Sequence, residues 1–129
     1  MLAIDTNVVV RLLTADHPQQ SPKAKELLER ETVFVALTVL LETEWVLRSA
    51  YGFAPARVVV ALRAFAGLRS VVVQDAASLA KALTWAERGM DFADALHLAQ
   101  AGDCDAFVSF DGRLARSAIR ADAGQVLVP

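Results

Sequence analysis

The chain has 129 residues, of which 55% are hydrophobic and 22% are charged, and its formal net charge is −2 at pH 7. This length fits one domain, predicted to span residues 1–129, and the composition excludes a disordered chain. The longest apolar runs, residues 33–41 and 58–62, are too short for a membrane-spanning helix of about 20 residues, and the slight acidity argues against capture of nucleic acid by bulk positive charge.

Short runs rich in β-branched residues alternate with segments of helical periodicity along the chain. In chain order, the sequence predicts strand 2–4, helices 7–13 and 21–30, strand 32–35, helices 38–50 and 55–65, strand 70–73, helices 76–88 and 91–101, strand 106–109, helix 112–120 and strand 125–128. The strands are apolar throughout, which is typical of a parallel sheet covered by helices on both faces. The predicted fold is a three-layer α/β/α sandwich.

Two aspartates follow predicted strands at the point where each strand ends. Asp5 comes after the first strand and Asp111 after the fourth. Ligands of open parallel sheets bind at the carboxyl ends of the strands, so both residues are candidate ligands. Each also stands at a favoured helix N-cap position, and capping is an equally good interpretation of either residue alone.

Glu42 lies in a predicted helix, and no basic residue stands three or four positions before or after it. A carboxylate on an apolar face is costly to bury without a partner, so Glu42 is expected to meet a metal ion or, alternatively, a distant arginine. Glu44 differs, because Arg48 follows it four positions later in the favourable orientation. We expect Glu44 and Arg48 to form an ordinary surface pair.

Three polar residues share one face of the helix predicted at 91–101, namely Asp91, Asp94 and His97. Asp91 is suited to cap this helix, whereas Asp94 lies one turn inside it among alanine and leucine. We therefore favour Asp94 as a ligand and Asp91 as a cap or outer support, with the choice between the two left open. His97 either orients a carboxylate or is an ordinary helix histidine.

Four converging carboxylates would repel one another by about 4 kcal/mol per close pair at an effective dielectric constant near 20. A cation must offset this repulsion, and an all-oxygen ligand set suits Mg²⁺, with Mn²⁺ as a substitute. Such an ion lowers the pKa of bound water and stabilises charge on a phosphoryl group during in-line attack. The chain offers neither a serine–histidine–acid set nor a glycine-rich phosphate loop, so metal-dependent phosphodiester hydrolysis is the predicted chemistry.

Five motifs in order resemble the PIN-domain family, and within it the VapC toxins of type II toxin–antitoxin pairs. They are IDTN at 4–7, VLLE at 39–42 followed by WVLR at 45–48, YG at 51–52, DFADA at 91–95 and VSFD at 108–111. The resemblance implies a Mg²⁺-dependent endoribonuclease toxin with a five-stranded parallel sheet in the order 3-2-1-4-5. It also implies an RNA substrate, a homodimer, inhibition by a cognate antitoxin protein, and contact with DNA only through that antitoxin.

Position by position, Asp5, Glu42, Asp94 and Asp111 resemble the four catalytic, metal-binding acids of the family. The supporting polar positions match Thr6, Asn7 and Ser109, with Asp91 as an outer support. Asn7 is also readily explained as an early helix residue that bonds its own backbone. Positive charge for substrate phosphates is available on the stripe formed by Arg113, Arg116 and Arg120, although a solvated helix face explains it equally well.

Other properties concern partners and location. A mean hydropathy of +0.38 is high for a small domain and predicts apolar surface covered by another chain. The N-terminus lacks a signal-peptide pattern, so a cytoplasmic location is expected, and the lone Cys104 forms no internal disulfide.

Two competing functions remain open at this point. One is a catalytically silent binding module of the same fold, acting through an antitoxin–DNA complex, with its acids serving only as caps. The other is a phosphatase that uses a strand-end aspartate as nucleophile, which is weaker because Asn7 stands where that motif requires an acid.

Overall fold

The computed structural model describes residues 1–129 and contains seven helices and five strands. Every predicted element is present, and most boundaries agree within a residue, so the α/β class is confirmed. In chain order the elements are β1 (Leu2–Ala3), α1 (Thr6–Thr14), α2 (Gln20–Arg30), β2 (Val33–Val35), α3 (Leu37–Ser49), α4 (Pro55–Ala66), β3 (Val71–Val73), α5 (Ala76–Glu87), α6 (Phe92–Gln100), β4 (Phe107–Val108), α7 (Gly112–Arg120) and β5 (Val126–Leu127). None of the helices combines the length and the apolar character needed to span a lipid bilayer.

The chain divides into two compact units, an N-terminal unit at Met1–Ala76 and a C-terminal unit at Ala77–Pro129. In the N-terminal unit, β2 lies between β1 and β3 in a parallel sheet, with Leu2 opposite Val33 and Val33 opposite Val71. Helix α1 packs against α2 and α3, and α3 packs against α4. The largest fully buried side chains of this unit are Val9, Val33, Val35, Leu40, Thr43, Leu47, Val58, Leu62 and Phe65.

The C-terminal unit contains the second parallel pair, in which Phe107 of β4 lies opposite Val126 of β5. Helix α7 packs against β5. Buried apolar side chains of α5, α6 and α7 form the interior of this unit, which includes Leu79, Ala82, Leu83, Ala95, Leu96, Leu114 and Ala118. This unit positions the helix starts at Asp91 and Asp111, which matter for the candidate site.

The predicted single sheet of five strands is wrong, because the strands form one sheet of three and one of two. In the N-terminal unit β1 pairs with β2, and in the C-terminal unit β4 pairs with β5. Both β1 and β4 are only two residues long. A strand this short has few backbone groups from which to build a second hydrogen-bonded ladder. The order 3-2-1 within the first sheet does agree with the prediction.

Helix α2 begins one residue before its predicted start, for a reason that involves His17. The ring Nδ1 of His17 accepts hydrogen bonds from the backbone N–H groups of Gln19, at 3.3 Å, and Gln20, at 2.9 Å. Free N–H groups at a helix start need such acceptors. Because His17 satisfies them, the helix extends to Gln20, and Pro22 lies inside its first turn.

Candidate functional site

Asp5 joins β1 to α1 and is the N-cap of that helix. Its backbone is extended, with φ −93° and ψ 168°, and its Oδ1 accepts a 2.8 Å hydrogen bond from the backbone N–H of Thr6. The capping interpretation is therefore confirmed. Capping uses Oδ1 and leaves Oδ2 of this exposed side chain available to another ligand.

Thr6, next to Asp5, has a buried hydroxyl group with no hydrogen-bond partner, although only 7% of the residue is exposed. Buried polar atoms are nearly always paired, because an unpaired one loses its hydration without compensation. A hydrated cation beside Asp5 would supply a partner. Asn7 is exposed in the first turn of α1.

The two glutamates of α3 have the opposite environments to those expected. Glu44 is the buried one, with 5% exposure, and both of its carboxylate oxygens accept hydrogen bonds from Arg48, one of them at 3.0 Å from Nη2. The predicted pair is present, but its location on the surface was wrong. Glu42 is exposed and forms no ion pair, so its carboxylate is available to a ligand.

Helix α6 of the C-terminal unit begins with two aspartates in different roles. Asp91 is the N-cap, and its Oδ2 accepts a 3.1 Å hydrogen bond from the backbone N–H of Asp94. Asp94 is half-buried in the first turn, and burial raises its pKa; the negative charges of Asp91 and Asp111 raise it further. His97 lowers the pKa of Asp94 by a smaller amount. Negative charge is thus crowded around Asp94.

Asp111 is the N-cap of α7. Its Oδ1 accepts hydrogen bonds from the backbone N–H groups of Arg113, at 2.9 Å, and Leu114, at 3.3 Å. Ser109 fixes the approach to this cap, because its Oγ accepts a 3.0 Å hydrogen bond from the backbone N–H of Asp111. Ser109 therefore holds the backbone of Asp111, and its role in support of a metal ligand stays a prediction.

Comparison with known families identifies the chain. The family described as PIN domain matches residues 2–119, nearly the whole sequence. The chain belongs to the PIN-domain family. Comparisons with curated proteins and with solved structures gave no significant match. PIN domains are generally nucleases, often toxins, and typically use divalent metal ions, so membership supports a hydrolase acting on nucleic acids.

Each unit of this PIN domain carries two of the four predicted metal ligands. Asp5 and Glu42 belong to the N-terminal unit, and Asp94 and Asp111 to the C-terminal unit. In neither unit do three or more His, Cys, Asp or Glu side chains form a group that holds a metal ion. The convergence of all four acids therefore stays a prediction, while the unpaired hydroxyl of Thr6 and the crowding at Asp94 both fit a cation.

Two arginines of the predicted basic stripe lie at the start of α7 in this PIN domain. Arg113 and Arg116 are both exposed. The side chain of Arg116 extends back toward the helix start. A Cβ atom added to Gly112 would lie only 3.0 Å from its Nη1. Glycine at this position leaves room for the guanidinium group of Arg116. Its contact with substrate stays a prediction.

Sequence reasoning missed two features of this region. It did not identify Thr6 as a buried and unpaired hydroxyl, since pairing depends on contacts that the sequence does not show. It also gave no role to Phe110, which follows the predicted strand 106–109 and whose side chain is 84% exposed directly before Asp111. A phenylalanine just before a predicted strand-end ligand is the signal that was available.

Proposed function

We propose that the chain is a Mg²⁺-dependent endoribonuclease and the toxin component of a toxin–antitoxin pair. The observation that carries this proposal is the environment of Asp94, which is half-buried beside two other carboxylates. Burial raises the pKa of Asp94, the negative charges of Asp91 and Asp111 raise it further, and a cation would relieve both effects. Family membership supplies the nuclease class.

In the proposed mechanism, Asp5, Glu42, Asp94 and Asp111 hold the ion, and capping fixes two of them in place. Mg²⁺, when bound, lowers the pKa of water and offsets the charge that develops on the phosphoryl group. The cap hydrogen bonds at Asp5 and Asp111 restrict the side-chain torsions, which reduces the reorganisation that these carboxylates need before binding.

The other residues have separate tasks in this proposal. Ser109 holds the backbone of Asp111, and Asp91 holds the first turn of α6 under Asp94. Arg113 and Arg116 bind substrate phosphates at the start of α7, where Arg116 already lies over Gly112. Thr6 and Asn7 support the region of Asp5.

We further propose a homodimer bound by a cognate antitoxin in the cytoplasm, with DNA contacted only through the antitoxin. Exposed apolar side chains on the helices of the N-terminal unit support a protein partner, since Trp45 is 60% exposed and Val60 is 66% exposed. Light scattering of the purified chain tests the dimer. Growth arrest on expression, absent in Glu42→Gln, tests the toxin role.

The decisive experiment is cleavage of a labelled RNA pool with Mg²⁺ or Mn²⁺, with EDTA, and with two substitutions at Asp5. Asparagine caps helices as well as aspartate does, whereas alanine loses the cap and destabilises the helix by about 1 kcal/mol. Asp5→Asn should therefore abolish cleavage at unchanged stability, and Asp5→Ala should lose both. Metal-independent cutting, or full activity in Asp5→Asn, would overturn the proposal.

A catalytically silent binding module is the second candidate, because Asp5, Asp91 and Asp111 all act as helix caps. In that case the acids need no ion. Mn²⁺ would then leave the melting temperature unchanged, whereas a metal-binding site raises it through binding to the folded state alone.

A further inference from the structure

Phe110 is the most exposed of the large apolar side chains, with 84% of its surface accessible. Single exposed apolar residues are common on protein surfaces, so exposure alone carries no conclusion. The position of Phe110 is informative, since this residue lies between Ser109 and Asp111, two residues of the proposed active site.

The backbone on both sides of Phe110 is fixed by hydrogen bonds. The backbone N–H of Ser109 donates to Leu127 at 2.9 Å, and that of Asp111 donates to the Ser109 hydroxyl at 3.0 Å. Asp111 in turn caps α7. A phenyl ring has only two side-chain torsions, so a ring on this rigid turn loses little conformational entropy when a ligand covers it.

The chemistry next to Phe110 is that of a phosphodiester site. Consecutive Cα atoms lie about 3.8 Å apart, so the ring and the Asp111 carboxylate leave the backbone at neighbouring points. Arg116 adds a positive charge at the same helix start. A nucleotide bound at this turn would have its phosphate near Asp111 and Arg116 and its base near the ring.

We propose that Phe110 is a substrate-binding residue that stacks on a base of single-stranded RNA beside the phosphate to be cut. The inference rests on the nuclease function proposed above. Aromatic side chains that bind single-stranded nucleic acid stack on the π-face of the bases, and every base has one, so the contact is tolerant of sequence. Bases inside a duplex are covered by their neighbours, so Phe110 selects unpaired RNA.

The test compares Phe110→Ala with Ile119→Ala, a matched control. Ile119 is 68% exposed in the same unit but lies roughly 12 Å further along α7 from Asp111. The probes are a labelled oligoadenylate and a labelled RNA duplex, with binding measured by anisotropy in EDTA. Phe110→Ala should weaken oligoadenylate binding roughly 5- to 150-fold, whereas Ile119→Ala and all duplex affinities should stay unchanged.

A second variant, Phe110→Trp, gives a direct signal from the ring. Stacking should quench its fluorescence when oligoadenylate is added, beyond the change that Trp45 and Trp85 show in the unsubstituted chain, and affinity should be retained. In Mg²⁺, Phe110→Ala should raise KM for cleavage of single-stranded RNA with kcat less affected.

The outcomes separate this inference from the nuclease proposal. Metal-dependent cleavage with equal KM and affinity in Phe110→Ala overturns the stacking role and leaves the nuclease intact. If Phe110→Ala loses oligoadenylate affinity but the unsubstituted chain never cleaves RNA, the stacking role is supported and the nuclease proposal is overturned. An unsubstituted chain that does not bind oligoadenylate, or a Phe110→Ala variant that changes oligomeric state at unchanged RNA affinity, also overturns the role.

Discussion

The two glutamates of α3 should respond in opposite ways to replacement by glutamine. Glu44 is buried and accepts two hydrogen bonds from Arg48, whereas Glu42 is exposed without an ion pair. Each change removes one negative charge from the same helix and leaves the side-chain volume nearly unchanged. We expect Glu44→Gln to destabilise the fold, and Glu42→Gln to abolish cleavage at nearly unchanged stability.

The size of the effect at Glu44 follows from its environment. A hydrogen bond to a charged group contributes about 1.5 to 3 kcal/mol, and glutamine keeps one acceptor oxygen but loses the charge. The Arg48 side chain is 34% exposed, so water partly compensates its guanidinium group. A loss of about 2 kcal/mol results. With an unfolding entropy of about 2.1 cal/mol/K per residue, this chain of 129 residues should melt roughly 7 °C lower.

Thermal melts followed by circular dichroism in EDTA measure stability, and cleavage of labelled RNA in Mg²⁺ measures activity. Glu42→Gln should melt within about 2 °C of the unsubstituted chain, as surface substitutions do. Equal melting temperatures for the two variants would refute the structural role of Glu44. Cleavage at the original rate by Glu42→Gln would refute its role as a ligand.

Three further predictions concern the metal-free protein and the arginine at α7. Because the pKa of Asp94 is raised in the folded state, its protonated form favours folding, and stability in EDTA should fall as pH rises from the ordinary aspartate range through the raised pKa. Asp94→Asn should remove that loss, and melts across pH detect it; an identical pH profile in the variant would contradict the electrostatic account. Thr6→Val removes a buried unpaired hydroxyl, so it should raise the free energy of unfolding by about 1 kcal/mol in EDTA and reduce the stabilisation by Mn²⁺. Unchanged stability would mean that water already pairs with this hydroxyl. Arg116→Ala removes the guanidinium group that lies beside Gly112 and should raise KM for RNA several-fold with kcat retained. A variant with unchanged KM would remove Arg116 from the substrate contacts.

The positions of the helices and strands were predictable because their signals are local. Pro55 at a first helical position marks the start of α4, and the β-branched run at 71–73 marks β3. The caps at Asp5 and Asp111 were predictable for the same reason, since each aspartate stands between a strand and a helical segment. Local physics decides where an element begins, and the sequence displays it.

Burial and strand pairing were less predictable because they depend on residues distant in the chain. The spacing of Glu44 and Arg48 predicts their ion pair, but the burial of Glu44 depends on how α3 packs against other elements, among them α1 and α4. The exposure of the Phe110 side chain is a similar case, because phenylalanine is more often buried and its exposure depends on which elements pack against the turn after β4. The division of the strands into two sheets likewise depends on which backbone groups find partners, and the residue types do not reveal this.

Capping and metal binding are compatible uses of one carboxylate, because a carboxylate has two oxygens. The recorded cap contacts of Asp5 and Asp111 use Oδ1, and that of Asp91 uses Oδ2. A cap therefore restricts the direction of the second oxygen without occupying it. Pre-set direction lowers the entropic cost of binding an ion. The capping of helices by these aspartates is thus compatible with both a metal site and a silent binding module, and only the removal of charge at constant capping, as in Asp5→Asn, separates the two roles.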